Sequence, residues 1–214
     1  MIPTQIENSS KGFYGLIRGE PITSLNHNVI YSPNLNLIQL LIDEILQSLD
    51  QQTNSRNGTI FRLVSNAVDA GKDKRPKVSI KNLISNDSYI KIQSSLSSNE
   101  NNDLFPIIAD ILNVNKLEQM RTRNLNRKHY TWIKNLVTDL SKWERSFAME
   151  MGENGFFILS LALLNNYLTL PMFGEYCLIS KGLTALEARN DHSKFLSEYK
   201  DALLFLRLAT ECSK

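Results

Sequence analysis

The chain has 214 residues, of which 42% are hydrophobic and 21% are charged, and its formal net charge is +2. A chain of this length can bury a core without disulfides or a structural metal, as one large domain or two small ones. The nearly balanced charge gives no global argument for binding nucleic acid or an acidic membrane surface. Cys177 and Cys212 match no zinc or redox spacing, so we predict that both are small hydrophobic core residues.

The N-terminal part is predicted to begin with β structure. Residues 1–15 lack the basic cluster and apolar run of a secretory signal, and they are too poor in Arg for a transit peptide. Residues 13–31 predict a small antiparallel meander, because strand-type FYGLIR is followed by a turn at Gly19-Glu20-Pro21. ITSL, a polar loop at residues 26–28 and VIY complete it.

Three helices are predicted to follow the meander. Ser32 and Pro33 are typical of an N-cap and a first helical residue. The helix after them has one apolar face, formed by Leu35, Ile38, Leu41, Ile42, Ile45 and Leu49. The second is TIFRLVSNAVDA, with Gly71 as its stop and with an inward face of Ile60, Leu63, Val64, Ala67 and Val68. KVSIKNLIS predicts the third.

A polar, low-complexity segment, SSLSSNENND, marks the predicted domain boundary. We predict an N-terminal α+β domain at residues 1–95, a linker at 96–103 and an all-helical domain at 104–214. The predicted C-terminal helices are LFPIIADIL, HYTWIKNLVTDL, KWERSFAMEM, FFILSLALLNNYL, PMFGEYCLI and FLSEYKDALLFLRLA. In the last of these, a buried stripe of Leu196, Tyr199, Leu203 and Leu206 is expected.

The most apolar stretch, GFFILSLALLNNYLTL at residues 155–170, poses a choice between a membrane anchor and a buried core helix. A bilayer span needs about 20 predominantly apolar residues. The apolar run is shorter, and Asn165 and Asn166 interrupt it. We therefore predict a central core helix and no transmembrane span.

The sequence carries no recognisable catalytic or metal motif. A Gly-rich phosphate loop, an HExxH pair and a nucleophile elbow are all missing. His27, His129 and His192 have no acid or Cys neighbour at ligand spacing, so structural or surface roles are expected. We predict that the protein is not an enzyme and uses no cofactor or metal.

One basic segment, RTRNLNRKHYTWIK at residues 121–134, permits two interpretations. Basic residues beside Tyr130 and Trp132 can bind single-stranded nucleic acid, as Arg121 and Arg123 would here. The alternative is a solvated connection between helices whose Tyr and Trp point into the core. We favour the second interpretation, because nothing else in the chain supports nucleic-acid binding.

Several segments, in order, resemble the mitochondrial chaperone family that assembles the catalytic head of ATP synthase by handling its α subunit. The resemblance runs from about residue 13 to residue 208. RLVSNAVD at Arg62 to Asp69 is its most specific piece. The other matching segments are RGEPI, VIY, Ser32-Pro33 with Leu37, Leu41 and Glu44, Asn86-Asp87, LFPIIADIL with Phe105 and Pro106, and WERSFAMEMGENGFFILSLALLNNYLTL.

The resemblance fails after the apolar helix. The family has an acidic segment followed by a Trp-Gly pair there, and its acidic residues are implicated in chaperoning. This chain has EYCLISKGLTALEARND instead, where Glu175 stands for the acidic start and Lys181-Gly182 matches either the Trp-Gly or the acidic pair. The partner-binding residues that the resemblance implies are therefore Glu175, Lys181, Gly182 and Glu187.

The resemblance implies a non-enzymatic factor that binds the unassembled α subunit in mitochondria, in the matrix or at the inner membrane. Covering the exposed interface of a subunit lowers the population that aggregates. The departure at residues 175–191 keeps an alternative open, in which the same fold serves as a structural accessory subunit of a mitochondrial ATP synthase or respiratory complex. A weaker third hypothesis is RNA binding through residues 121–134.

Overall fold

The computed structural model describes residues 2–54, 57–70, 79–93, 109 and 125–211. Within these ranges it contains three strands and ten longer helical segments, so the predicted α+β class is confirmed. The elements are β1 Thr4–Ser9, β2 Gly12–Ile17, β3 Glu20–Pro21, α1 Leu35–Asp50, α2 Thr59–Asp69, α3 Ile80–Asn86, α4 Ser88–Gln93, α5 Arg127–Asp139, α6 Lys142–Glu153, α7 Phe157–Leu164, α8 Leu170–Ile179, α9 Ala185–Glu198 and α10 Lys200–Thr210.

The sheet is antiparallel in the order β1-β2-β3 and starts earlier than predicted, since β1 precedes the expected meander. Ile17 pairs with Glu20 across a two-residue turn of Arg18 and Gly19, which have φ values of 56° and 82°. Two positive φ values suit the right-handed twist of a tight hairpin. The predicted turn at residues 19–21 therefore lies one residue too late, because Glu20 and Pro21 already pair with β2.

Helix α1 begins two residues later than predicted. The side-chain oxygen of Asn34 accepts a hydrogen bond from the N–H of Asn36 at 2.9 Å and caps the helix. Ser32 instead exchanges backbone hydrogen bonds with Phe13 of β2, which extends the meander. Leu35 and Leu49, predicted to face inward, are 46% and 41% exposed, because they lie at the two ends of the helix.

The structure divides into two compact units, and each is assembled from separate stretches of chain. The first comprises Met1–Pro76, Lys142–Phe147 and Tyr199–Lys214; the second comprises Lys77–Ser141 and Ala148–Glu198. The predicted linker at 96–103 and the predicted helix LFPIIADIL lie outside the described residues, apart from Ala109. The domain division at residues 95 and 104 stays a prediction.

Packing in the first unit centres on α1. A side chain at Gly15 of β2 would lie 2.9 Å from Ile22 and 3.1 Å from Ile42, so the glycine lets the sheet approach the helix closely. Glu44 of α1 accepts hydrogen bonds from the N–H groups of Ile60 at 2.9 Å and Phe61 at 2.7 Å. A carboxylate from one helix thus caps the N-terminus of α2. Partial burial raises the pKa of Glu44.

The buried Asp69, at the end of α2, fixes the loop of residues 24–28, which we call the β loop. The carboxylate of Asp69 accepts hydrogen bonds from the hydroxyl of Ser24 at 2.5 Å, the amide of Asn28 at 2.8 Å and the N–H of Asn26 at 3.2 Å. Asp69 is 5% exposed, so these donors compensate for the hydration it loses. Asp69, the last residue of the segment RLVSNAVD, therefore has a structural role.

The first part of the apolar stretch at residues 155–170 forms a core helix of the second unit, as predicted, whereas residues 165–167, 169 and 170 are exposed. Every residue from Phe157 to Ala162 in α7 is 0% exposed. The helix ends at Leu164, and the left-handed Asn166 (φ 59°) turns the chain. Among the described residues, no helix is both long enough and apolar enough to cross a bilayer.

The predicted final helix is two helices with a break at Tyr199, and α9 extends upstream to Ala185. The predicted stripe is displaced by one residue, since Leu196, Tyr199, Leu203 and Leu206 are only half-buried. The fully buried positions are Phe195, Ala202, Phe205 and Ala209. The buried positions recur at intervals of seven, three and four residues, so the buried face is rotated by about one residue from the predicted stripe.

Candidate protein-binding site

The four predicted partner-binding residues all lie on the hairpin of α8 and α9 in the second unit. A side chain at Gly174 of α8 would lie 3.0 Å from Leu196 and 3.3 Å from the carbonyl oxygen of His192. The two helices therefore approach closely at this glycine. Three of the predicted residues, Lys181, Gly182 and Glu187, fall within residues 181–187, which we call the hairpin tip.

Gly182 ends the first helix of the hairpin. Its φ is +96°, in the left-handed region that favours glycine. Its N–H donates to the carbonyl of Ile179 at 2.9 Å, and the N–H of Leu183 donates to the carbonyl of Leu178 at 3.3 Å. This pair of hydrogen bonds is the Schellman motif that terminates helices. Gly182 thus sets the backbone path of the tip.

Glu187 begins the second helix. Its carboxylate accepts hydrogen bonds from the N–H of Thr184 at 2.9 Å and from the Thr184 hydroxyl at 2.7 Å, and its own N–H donates back to that hydroxyl at 3.4 Å. These contacts form a capping box. The same hydrogen bonds stabilise the carboxylate and lower the pKa of Glu187. The chain direction at the tip is therefore fixed on both sides.

Lys181 attaches the tip to buried aromatic rings. Its ammonium lies 5.1 Å from the ring centroid of Phe156 and 5.2 Å from that of Phe195. The two rings pack edge to face at 5.6 Å and are almost fully buried. A cation over an aromatic face is electrostatically stabilised. Lys181 therefore covers the end of the aromatic core beneath the hairpin.

Glu175 lies on the flank of the hairpin. Its carboxylate is 3.2 Å from the Nε of Arg189 on α9. The Arg189 side chain is 71% exposed, so water screens this ion pair and its contribution to stability is small. The structure therefore separates Glu175 from the three predicted residues that meet at the tip.

The residue that sequence reasoning missed is Leu186, which is 71% exposed at the tip. It is the most exposed large hydrophobic residue in the part of the chain that the structure describes. Ala188 and Phe195 mark the buried face of α9, and Leu186 lies about 200° around the helix from Ala188. Recognising the Thr184–Glu187 capping box in the sequence would have placed Leu186 on the outer face.

The basic segment at residues 121–134 is only partly described, since Arg121 and Arg123 lie outside the described residues. The expectation that its aromatic residues point into the core is wrong for Trp132, which is 42% exposed on α5. Ile133 and Val137 form the buried face instead. Tyr130 is half-buried, and burial raises its pKa.

The imidazoles of His129 and His192 make local hydrogen bonds, and His27 makes one through its backbone N–H. His129 accepts from the N–H of Asn126 at 3.0 Å in the cap of α5, and His192 contacts the carbonyl of Arg189 at 2.7 Å. His27 has a positive φ of 60° in the β loop. Among the described residues, no three His, Cys, Asp or Glu side chains are grouped so that they could hold a metal ion.

Comparisons of the chain with protein-family models, with curated proteins and with solved structures found no match.

Proposed function

We propose that this protein is a non-enzymatic, protein-binding assembly factor that uses the hairpin tip to contact its partner. The resemblance of the sequence to the ATP synthase assembly chaperones names the partner as the unassembled α subunit, in mitochondria. The hairpin tip is the region that the same resemblance associates with chaperoning, through Lys181, Gly182 and Glu187.

The observation that carries the proposal is the exposure of Leu186 on a backbone that is held in place. An exposed leucine on a mobile loop would lose conformational entropy on binding. Here the Schellman motif at Gly182 and the capping box at Glu187 fix the backbone on either side of Leu186. A preorganised apolar side chain contributes more of its burial energy to affinity.

The charges around Leu186 suit a protein partner. Lys181 lies five residues before Leu186 and Glu187 lies one residue after it, and both are exposed. A central apolar contact inside a polar rim is the usual arrangement of a protein interface. Charged residues at the rim affect the rate and specificity of association more than affinity.

Pull-down of the α subunit from crosslinked mitochondria tests the proposal, with Leu186→Ser as the diagnostic variant. Burying one leucine side chain stabilises a complex enough that its loss should weaken binding by roughly tenfold or more. Leu49→Ser is the matched control, since Leu49 is also exposed (41%) but lies on α1 in the first unit. Absence of the α subunit from the wild-type pull-down would refute the proposed partner.

A native gel with mass spectrometry separates the chaperone from the accessory-subunit alternative. A chaperone is substoichiometric and leaves before the complex matures, so it should migrate with the free α subunit. Stoichiometric migration with the mature complex would replace the chaperone role with that of a permanent subunit. Leu186→Ser should reduce migration with the free α subunit, because the proposed chaperone role uses the tip.

A further inference from the structure

A concave site in the first unit has no part in the function proposed for the hairpin. It is open to solvent, its volume is about 450 Å³, and its lining includes Lys11, His27, Asn28, Tyr31, Val68 and Lys142. Two lysines face one cavity here, and among the described residues none that lines it is acidic. Most ligand cavities have apolar walls with a few polar groups that select the ligand. In this cavity, the selecting charges are positive.

Aromatic rings hold both ammonium groups in place without neutralising them. The Nζ of Lys11 lies 5.6 Å from the ring centroid of Tyr31, and that of Lys142 lies 4.7 Å from the ring centroid of Trp143. An ammonium has three N–H donors, so one directed at a ring face leaves others for a ligand. Both lysines therefore retain donors for a bound anion.

Lys142 occupies an environment that favours a bound anion. Much of its side chain is exposed, yet protein atoms around its ammonium remove part of the hydration and lower its pKa. An anion in the cavity would compensate for the lost hydration. The nearest acid in sequence to the lining residues, Asp69, already accepts hydrogen bonds from Ser24, Asn26 and Asn28.

The same Asp69 contacts shape the cavity wall. They fix the β loop that carries His27 and Asn28, so this part of the wall is formed before any ligand binds. A preformed wall lowers the ordering cost of binding. The volume of the cavity lies within the range of small-molecule sites, at roughly 300–1,000 Å³.

We propose that this cavity binds a small phosphate-bearing anion, whose oxygens contact the ammonium groups of Lys11 and Lys142. Lysine binds phosphate as a point charge and does not need the planar geometry that arginine requires. Two ammonium groups match a ligand with two or more negative charges better than a monoanion. Inorganic pyrophosphate is therefore a suitable probe.

Isothermal titration of the full chain with pyrophosphate, at low and at physiological salt, tests this site. Wild type should bind, and the double variant K11Q/K142Q should bind roughly tenfold or more weakly, because it loses two charge-assisted contacts. K11R/K142R, which keeps both charges, should retain binding within a few-fold. The control K194Q/K200Q removes the same net charge at exposed positions that do not line the cavity.

Two results would overturn the proposal: no heat of binding by wild type, or an equal loss of affinity in K194Q/K200Q, which would indicate diffuse charge attraction. Circular dichroism reports whether each variant is folded. Should K11Q/K142Q fail to fold, the single variant K11Q decides, since Lys11 is exposed in the turn between β1 and β2. K11Q should weaken binding several-fold, and an unchanged affinity would refute the site.

Discussion

The carboxylate of Asp87 accepts a hydrogen bond from the backbone N–H of Ile158 at 2.9 Å, although 71 residues separate the two in sequence. Its other oxygen accepts from the N–H groups of Tyr89 at 3.0 Å and Ile90 at 3.2 Å. One side chain thus caps the N-termini of α4 and α7, and it is 0% exposed. These hydrogen bonds join the start of the central core helix to a distant turn.

We expect Asp87 to make stability fall as the pH rises. Burial raises its pKa from 3.8 to about 7. Between these values the native state keeps a proton that the unfolded state has lost, so the free energy of unfolding decreases with increasing pH. The difference of about three pH units between the two pKa values corresponds to roughly 4 kcal/mol in the free energy of unfolding. This contribution is fully present below pH 4 and is lost as the pH passes 7.

The variant Asp87→Asn should remove this component of the pH dependence. It should also lower the free energy of unfolding at pH 5 by about 1–3 kcal/mol, because an amide leaves the N–H of Ile158 without its acceptor. Asp43→Asn is the control, since Asp43 is exposed on α1. Urea denaturation between pH 4 and pH 8 measures both quantities, and an unchanged slope in Asp87→Asn would contradict the assignment.

Glu44 and Gly58 should show energetic coupling. A side chain at Gly58 would collide with the carboxylate of Glu44, which caps α2. The backbone of Gly58 (φ −61°, ψ 145°) is accessible to alanine, so the cost of Gly58→Ala is steric. We expect Glu44→Ala to cost about 1–3 kcal/mol through the lost cap.

A double-mutant cycle measures this coupling. Gly58→Ala should destabilise the wild type by more than it destabilises Glu44→Ala, with a coupling energy of about 1 kcal/mol or more. Asp43→Ala replaces an exposed acid one residue before Glu44 and should change stability by less than about 0.5 kcal/mol. Additive costs for Gly58→Ala and Glu44→Ala would show that the side chains do not compete for this space.

The sequence predicts elements with a strong period well, and contacts between distant segments poorly. The core helix at residues 157–164 follows from its apolar run, and the inward positions of α1 and α2 follow from apolar spacing, except for the exposed Leu35 and Leu49 at the ends of α1. The cap that Glu44 provides for α2 and the contact of Asp87 with Ile158 cannot be predicted in this way, because these hydrogen-bond donors lie far away in the sequence. Likewise, no local pattern indicates that α10 belongs to the first unit. There the ring of Phe205 packs against that of Trp143, with 6.0 Å between the ring centroids.

At the candidate site, the residues predicted from the sequence do not include the most exposed apolar residue, Leu186. The left-handed backbone at Gly182 is a physical reason for glycine at the position where the family pattern also has one. Leu186 was missed because an apolar residue near a helix start is ordinarily assigned to the core. Its exposure depends on where α9 begins, and helix boundaries are the least predictable feature of a sequence.

Lys181 should stabilise the second unit through its charge. Lys181→Met keeps an unbranched side chain, shorter by one atom, but removes the cation over Phe156 and Phe195. We expect a loss of about 0.5–2 kcal/mol in the free energy of unfolding, and a smaller loss for Lys181→Arg. Lys200→Met, at an exposed position on α10, is the control. Equal stability of Lys181→Met and wild type would show that the rings do not bind the cation.

The two tryptophans should differ in their access to solvent. Trp132 is 42% exposed on α5, whereas Trp143 is 5% exposed on α6. Since the chain has only these two tryptophans, Trp143→Phe and Trp132→Phe each leave a single tryptophan, which can be excited selectively. Acrylamide should quench the fluorescence of Trp132 much more strongly than that of Trp143.

The same difference in burial should appear in stability. Trp132→Ala should lower the free energy of unfolding by less than about 1 kcal/mol. Ile133→Ala, at the adjacent buried position, should cost about 2–5 kcal/mol. Equal quenching of the two tryptophans, or a larger cost at Trp132 than at Ile133, would place the aromatic ring in the core and reverse the orientation of α5.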